Sequence, residues 1–99
     1  MVVELAQRCG WLAAHFRPAM TQHGWRTAVQ GDAGFPDLVL ARENEDGIAS
    51  LCFLEVKSER EKMSPSQVEW LAVLSKVPGV IARCVRPSDW EQIVAVLQR

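Results

Sequence analysis

The segment Glu43-Asn44-Glu45-Asp46-Gly47 separates two apolar runs, Phe35 to Arg42 and Ile48 to Lys57. Clustered Asn, Asp and Gly favour a turn, and short apolar runs on either side of one read as strands, so an antiparallel hairpin is expected here. Pro36 lacks a backbone donor and is admissible only at the beginning or edge of its strand. Because a lone hairpin is marginal in water, the rest of the chain has to supply its cover.

Ser64-Pro65-Ser66-Gln67 supplies a capping Ser, a Pro at the first helical position and a Gln at the third. This capping box predicts a helix to about Val77, ended by Pro78-Gly79. Val80 to Val85 is then a strand that returns parallel to the second strand of the hairpin through a right-handed crossover. Ser88-Asp89-Trp90-Glu91 reads as a second capping box, followed by an apolar stripe of Trp90, Ile93, Val94 and Leu97. Towards the N-terminus Leu5, Cys9, Leu12, Ala13 and Phe16 recur at helical spacing. They predict a helix from about Val2 to Phe16, stopped before Pro18 and containing Gly10. Arg17 to Gly34 shows no sustained period and reads as a long loop. The predicted order is helix, hairpin, helix, strand, helix, an α/β domain whose small mixed sheet is covered by helices.

With 99 residues the chain is read as one domain, residues 1–99, with a single core. Its 48% apolar and 23% charged residues are ordinary globular usage. No run approaches the roughly 18 apolar residues of a membrane span, and no secretory signal opens the sequence, so the expected home is the cytoplasm, without membrane association. The three cysteines, Cys9, Cys52 and Cys84, sit in apolar stretches and suggest buried thiols rather than disulfides. His15 and His23 do not share a helical face and no Cys-x-x-Cys occurs, which argues against structural zinc. The net charge of −1 excludes a strongly basic domain, so any contact with nucleic acid has to rest on local features.

Alternation along the second strand puts Leu51, Phe53, Glu55 and Lys57 on one face. Glu55 and Lys57 lie about 6.5 to 7 Å apart along the strand and can approach one small ligand. If the hairpin closes through the acidic turn, Asp37 at the start of the first strand faces Glu55 at the end of the second. Two carboxylates there form a hard oxygen site suited to Mg²⁺ or Mn²⁺, with water and phosphate oxygens completing it. Lys57 could hold or deprotonate a water and stabilise charge developing on a phosphate. The competing reading is a solvated strand edge beside a Pro-Asp turn.

Four stretches carry a resemblance: Gly34-Phe35-Pro36-Asp37-Leu38-Val39-Leu40, Phe53-Leu54-Glu55-Val56-Lys57-Ser58-Glu59, Lys62-Met63-Ser64-Pro65-Ser66-Gln67 with Trp70-Leu71, and Arg86-Pro87-Ser88-Asp89-Trp90. In this order they resemble the VRR-NUC family, the virus-type replication-repair nucleases of the PD-(D/E)xK superfamily, and especially its stand-alone phage or bacterial members. The resemblance implies a restriction-endonuclease-like core and a divalent-metal endonuclease acting on DNA, with branched forms such as four-way junctions among its substrates. It implies Asp37 and Glu55 as metal carboxylates, the Val56 backbone carbonyl as a further ligand, Lys57 as the catalytic lysine and Gln67 as a residue near the active site. The capping reading of Gln67 stands beside that one. Family members usually carry an acid in the first helix, for which Glu4 is the candidate here; as a solvated acid in a first helical turn it would equally suit the helix dipole.

The candidates for DNA contact are Arg17 and Arg26 in the long loop, Arg60 and Lys62 after the catalytic strand, and Trp25 as a base-stacking residue. Trp70 and Trp90, at helical spacing, are expected in the core. A small, near-neutral chain offers little surface to a duplex, which suggests a homodimer. The rival function is an inactive or partner-activated module that binds DNA or a repair protein on the same fold.

Overall fold

The computed structural model describes residues 2–16, 19–21, 24–26 and 31–99, with the two short inner segments described as backbone only. The elements are α1 (Val2–Arg8), β1 (Leu12–His15), β2 (Ala19–Thr21), β3 (Gly24–Arg26), β4 (Leu38–Glu43), β5 (Ala49–Val56), α2 (Pro65–Leu74), β6 (Val80–Val85) and α3 (Trp90–Gln98). A 3₁₀ turn, Pro87–Asp89, precedes α3.

The hairpin forms as expected. β4 and β5 pair antiparallel in a register that sets Leu38 opposite Leu54 and Leu40 opposite Cys52. In the turn, Asp46 Oδ1 accepts from the Ile48 amide at 2.9 Å, and Gly47 adopts the left-handed φ of 82° that closes it. β6 lies parallel to β5, with α2 between them in the chain, and β1 adds to the far side of β4, giving the order β1-β4-β5-β6.

The side chains of Leu38, Leu40, Cys52, Leu54 and Val85 enter one core with Ala6 and Trp11 from the N-terminal region and Ile93 and Leu97 from α3. Phe35 packs edge to face against Phe16, Phe53 and Trp70, at centroid distances of 5.7, 5.9 and 5.1 Å. By strand alternation Phe53 lies on the face opposite Cys52 and Leu54, so α2 and this aromatic group cover the second side of the sheet.

The first helix is shorter than the spacing of apolar residues suggests. Gly10 has φ of 88°, its amide donates to the Gln7 carbonyl at 3.1 Å and the Trp11 amide donates to the Ala6 carbonyl at 3.0 Å. These two bonds are a Schellman stop, and the glycine that interrupts the helical pattern is the residue that ends the helix. Leu12, Ala13 and Phe16 therefore fall in and after an edge strand, where Leu12 is 78% exposed. The stretch read as a long loop holds β2 and β3, paired antiparallel with Met20 opposite Trp25. Strands of three residues are too short to display a period of two.

Two further expectations change. α2 stops at Leu74 rather than Val77, with the Ser75 amide bonded to the Leu71 carbonyl at 2.9 Å. The second capping box does not form: Asp89 caps α3 with no side-chain bond, its carboxylate accepting instead from the Arg86 amide at 2.9 Å. Ser88 is drawn away because its amide and hydroxyl both donate to Glu59.

The far end of the molecule is tied by Arg42. Its guanidinium lies 4.4 Å from the centre of the Trp11 ring and donates to the carbonyls of Cys9 and Leu97 at 3.0 Å, and to that of Arg99. Trp11 Nε1 also donates to Leu97 O at 2.9 Å, so the last turn of α3 has its carbonyls satisfied by side chains from another layer.

Gly10→Ala meets only a 3.7 Å contact with Arg42 and should lose about 1 to 2 kcal/mol from the left-handed backbone alone. At Gly34, φ is 98° and a Cβ would lie 2.6 Å from the Ser66 carbonyl carbon. Gly34→Ala should therefore lose about 2 to 4 kcal/mol in urea unfolding, and an equal effect of the two substitutions would contradict this packing.

Candidate metal centre

Asp37 immediately precedes β4, and the register that pairs Leu38 with Leu54 carries it to a position opposite Glu55. Pro36, fully buried, anchors the approach to Asp37, and the Asp37 carbonyl accepts from the Phe16 amide at 2.8 Å. Its side chain turns toward the end of β5, where Oδ2 accepts from the Val56 amide at 3.1 Å. The Lys57 amide points the other way, to Val85 O on β6 at 3.0 Å. Since the amide and carbonyl of one strand residue share an edge, the Val56 carbonyl lies on the β4 side with Asp37.

Glu55 is 2% exposed, and its Oε1 has no hydrogen-bond partner. Burial first, then a hydrogen bond with Asp37 and the negative charge of Asp37, raise its carboxyl from 4.5 to about 8, against an opposing pull from Lys57. A buried carboxylate beside a second carboxylate is a costly arrangement unless a proton or a cation sits between them. The orphaned oxygen, the neighbouring Asp37 and the Val56 carbonyl are all hard oxygen donors, and as a set they fit Mg²⁺ or Mn²⁺.

Lys57 is mostly sheltered, with 14% of its side chain exposed and its ammonium 3.9 Å from Glu61 Oε2. Glu61 Oε1 accepts from the Ser58 amide at 3.0 Å, a bond that holds the Glu61 carboxyl below its usual range. Arg86, just past the end of β6, fixes the same loop by donating to the carbonyls of Ser58 and Glu61 at 2.5 and 2.6 Å. The Arg86 stretch stood out in the sequence, yet its role as a brace depends on partners 28 and 25 residues away in the chain.

The other predicted residues divide. Gln67 forms the capping box: Oε1 accepts from the Ser64 amide at 2.9 Å and its own amide donates to Ser64 Oγ at 3.2 Å. Gly34 lies against the backbone of Ser66 and Gln67, so the start of α2 is seated on the loop leading to Asp37. Glycine alone has room there, a requirement visible only once α2 has packed. Trp70 is half-buried and donates to Ala33 O at 3.0 Å, which steadies that loop from the other side. Glu4 is exposed in the first turn of α1, and among the described residues no group of three His, Cys, Asp or Glu side chains is placed to hold a metal ion. Arg60 and Lys62 are exposed on the loop after β5. Arg17 and His23 lie outside the described residues, as do the side chains of Trp25 and Arg26. His15 ends β1 and is exposed.

A mixed sheet that delivers two acids and a lysine to one strand end, with helices on both faces, is a restriction-endonuclease-like, nuclease-type core. A family model for the VRR-NUC domain matches residues 11–87. The chain belongs to the VRR-NUC domain family, and the matched span includes Asp37, Glu55, Val56, Lys57 and Gln67. Comparison with curated proteins and with solved structures returned no match. Among the described residues, no helix is long and apolar enough to cross a membrane.

The raised Glu55 carboxyl has a measurable consequence. In metal-free solution the folded chain keeps this proton where the unfolded chain has lost it, so the stabilisation is fully present below 4.5 and is lost as pH rises through about 8. The melting temperature in EDTA should fall across that window, and Glu55→Gln should flatten the fall. A melting temperature that climbs over the same window would contradict the arrangement.

Proposed function

We propose that the chain is a divalent-metal-dependent endodeoxyribonuclease that hydrolyses phosphodiester bonds, with Asp37, Glu55 and the Val56 carbonyl as ligands of Mg²⁺ or Mn²⁺ and Lys57 as the catalytic lysine. The observation that carries this reading is the buried Glu55 oxygen without a partner, set beside Asp37. A cation bound there would supply Lewis acidity toward a phosphate oxygen and toward an attacking water. Lys57 would hold that water, or stabilise the charge that develops on the phosphate, from a position fixed by Glu61 and the braced loop. Asp37, bonded to the Val56 amide, keeps the two strand ends from separating when charge gathers between them. Gln67 would act by seating α2 rather than by touching the ion.

Arg60 and Lys62 supply exposed positive charge after the catalytic strand, suited to phosphates on either side of the cut, and Arg17, Arg26 and Trp25 complete the proposed DNA contacts. Branched DNA as the preferred substrate, a homodimer placing two centres on two strands, and action in the cytoplasm all belong to this proposal.

A second reading, a module that grips DNA without cutting, is favoured by the gathering of only two acids, rather than three, among the described residues. Nicking of plasmid and branched DNA in Mn²⁺ by the purified chain separates the two. Asp37→Ala and Lys57→Ala should each lower the rate by at least about a hundredfold, and Mn²⁺ should raise the melting temperature of the wild type but not of Asp37→Ala. Binding without any cutting by the wild type would favour the module.

A further inference from the structure

Four acids surround the end of β5, and three of them are engaged. Asp37 and Glu55 share a hydrogen bond at the candidate metal centre. Glu59 is taken by Ser88, whose amide and hydroxyl both donate to its carboxylate. Glu61 differs: Oε1 accepts from the Ser58 amide at 3.0 Å, while Oε2 faces the Lys57 ammonium at 3.9 Å. Its negative charge also acts on the Glu55 carboxyl, which puts it within reach of the same centre. It is not a third ligand, because among the described residues no three acids are placed to hold one ion.

We propose that Glu61 is the proton acceptor of the hydrolysis: the attacking water, held by Lys57, gives its proton to Glu61 Oε2. The inference rests on the nuclease reading for its reaction and on the placement of Glu61 beside Lys57 for its assignment. An ammonium carries three donors and no acceptor, so Lys57 can orient a water but cannot take its proton in that form. A separation of 3.9 Å is longer than a hydrogen bond, yet short enough for one water to bond both groups. In the step, the water oxygen forms a bond to phosphorus and the bond from phosphorus to the leaving deoxyribose oxygen breaks with its electron pair. The water proton passes to Glu61, and the leaving oxygen takes a proton from solvent. Asp37 and Glu55 are poorer acceptors, since a cation between them would draw on the same lone pairs. Glu61 is 57% exposed and can return its proton to solvent after each turnover, which the buried Glu55 cannot do as readily. The Ser58 amide on Oε1 and the Arg86 bond to the Glu61 carbonyl hold the carboxylate in place without occupying Oε2.

The test compares Glu61→Gln, Glu61→Ala and Lys57→Ala in nicking of plasmid DNA in Mn²⁺, beside thermal melting of each with and without the ion. Glu61→Gln keeps an acceptor for the Ser58 amide but cannot take a proton, and should lower the rate by about a hundredfold. An exposed ion pair contributes little to stability, so the same variant should melt within about 5 °C of the wild type in EDTA. It should also keep the stabilisation by Mn²⁺. Added formate or acetate should restore cutting by Glu61→Ala, acetate more than formate because it is the stronger base, and neither should restore Lys57→Ala. Wild-type cutting by Glu61→Gln would overturn the assignment, as would a loss in Glu61→Ala that neither acid restores, or a Mn²⁺ stabilisation lost with Glu61. In each of these cases a wild type that cuts leaves the nuclease reading standing. A wild type that binds Mn²⁺ and DNA without cutting overturns that reading, and the proton acceptor falls with it.

Discussion

The antiparallel register of β4 and β5 governs the molecule. Leu38, Leu40, Cys52 and Leu54 enter the core only if Leu38 lies opposite Leu54, and that same alignment sets Asp37 opposite Glu55. A slip of β5 by one residue would turn Cys52 and Leu54 to the face opposite Leu38 and Leu40 and separate the two acids. Burial of apolar surface thus fixes the geometry of the acidic pair, and the pair need contribute nothing to its own placement. It could be unfavourable by itself and still be held.

The surroundings of the pair indicate that it is unfavourable. Glu55 is almost fully buried, on the sheet face that also carries Phe53 of the aromatic cluster. Each edge-to-face aromatic contact contributes on the order of 0.5 to 1.5 kcal/mol beyond burial, so the cluster can offset part of the strain of a buried acid. The burial that raises the Glu55 carboxyl would also strengthen its attraction to a cation, because both effects follow from low local polarity. Structural tension is thus concentrated at one strand end, where real proteins tend to break a local rule at functional sites.

How much of this was legible in the sequence follows from the range of the forces involved. The hairpin, α2 and β6 could be read because turn chemistry, a capping box and apolar runs act over a few residues, and the Asp37, Glu55 and Lys57 arrangement followed from strand alternation and the turn. Leu12, Ala13 and Phe16 misled because their spacing suits a helix by coincidence, while Gly10 had already stopped it. The bracing role of Arg86, the tight seat of Gly34 against Ser66, and the diversion of Ser88 to Glu59 depend on contacts between distant parts of the chain, which no local pattern encodes. Trp90 was misplaced for the opposite reason: its stripe is real, but the core ends one turn before it.

The Arg86 guanidinium holds both ends of the short segment from Ser58 to Glu61. A loop of that kind ordinarily samples many conformations, and ordering it on contact with a ligand would subtract from affinity. Here the ordering is completed when the chain folds, so Lys57 and the exposed Arg60 stand on a frame that Arg86 already holds. Any ligand that docks at this edge would find little conformational entropy of the loop left to remove.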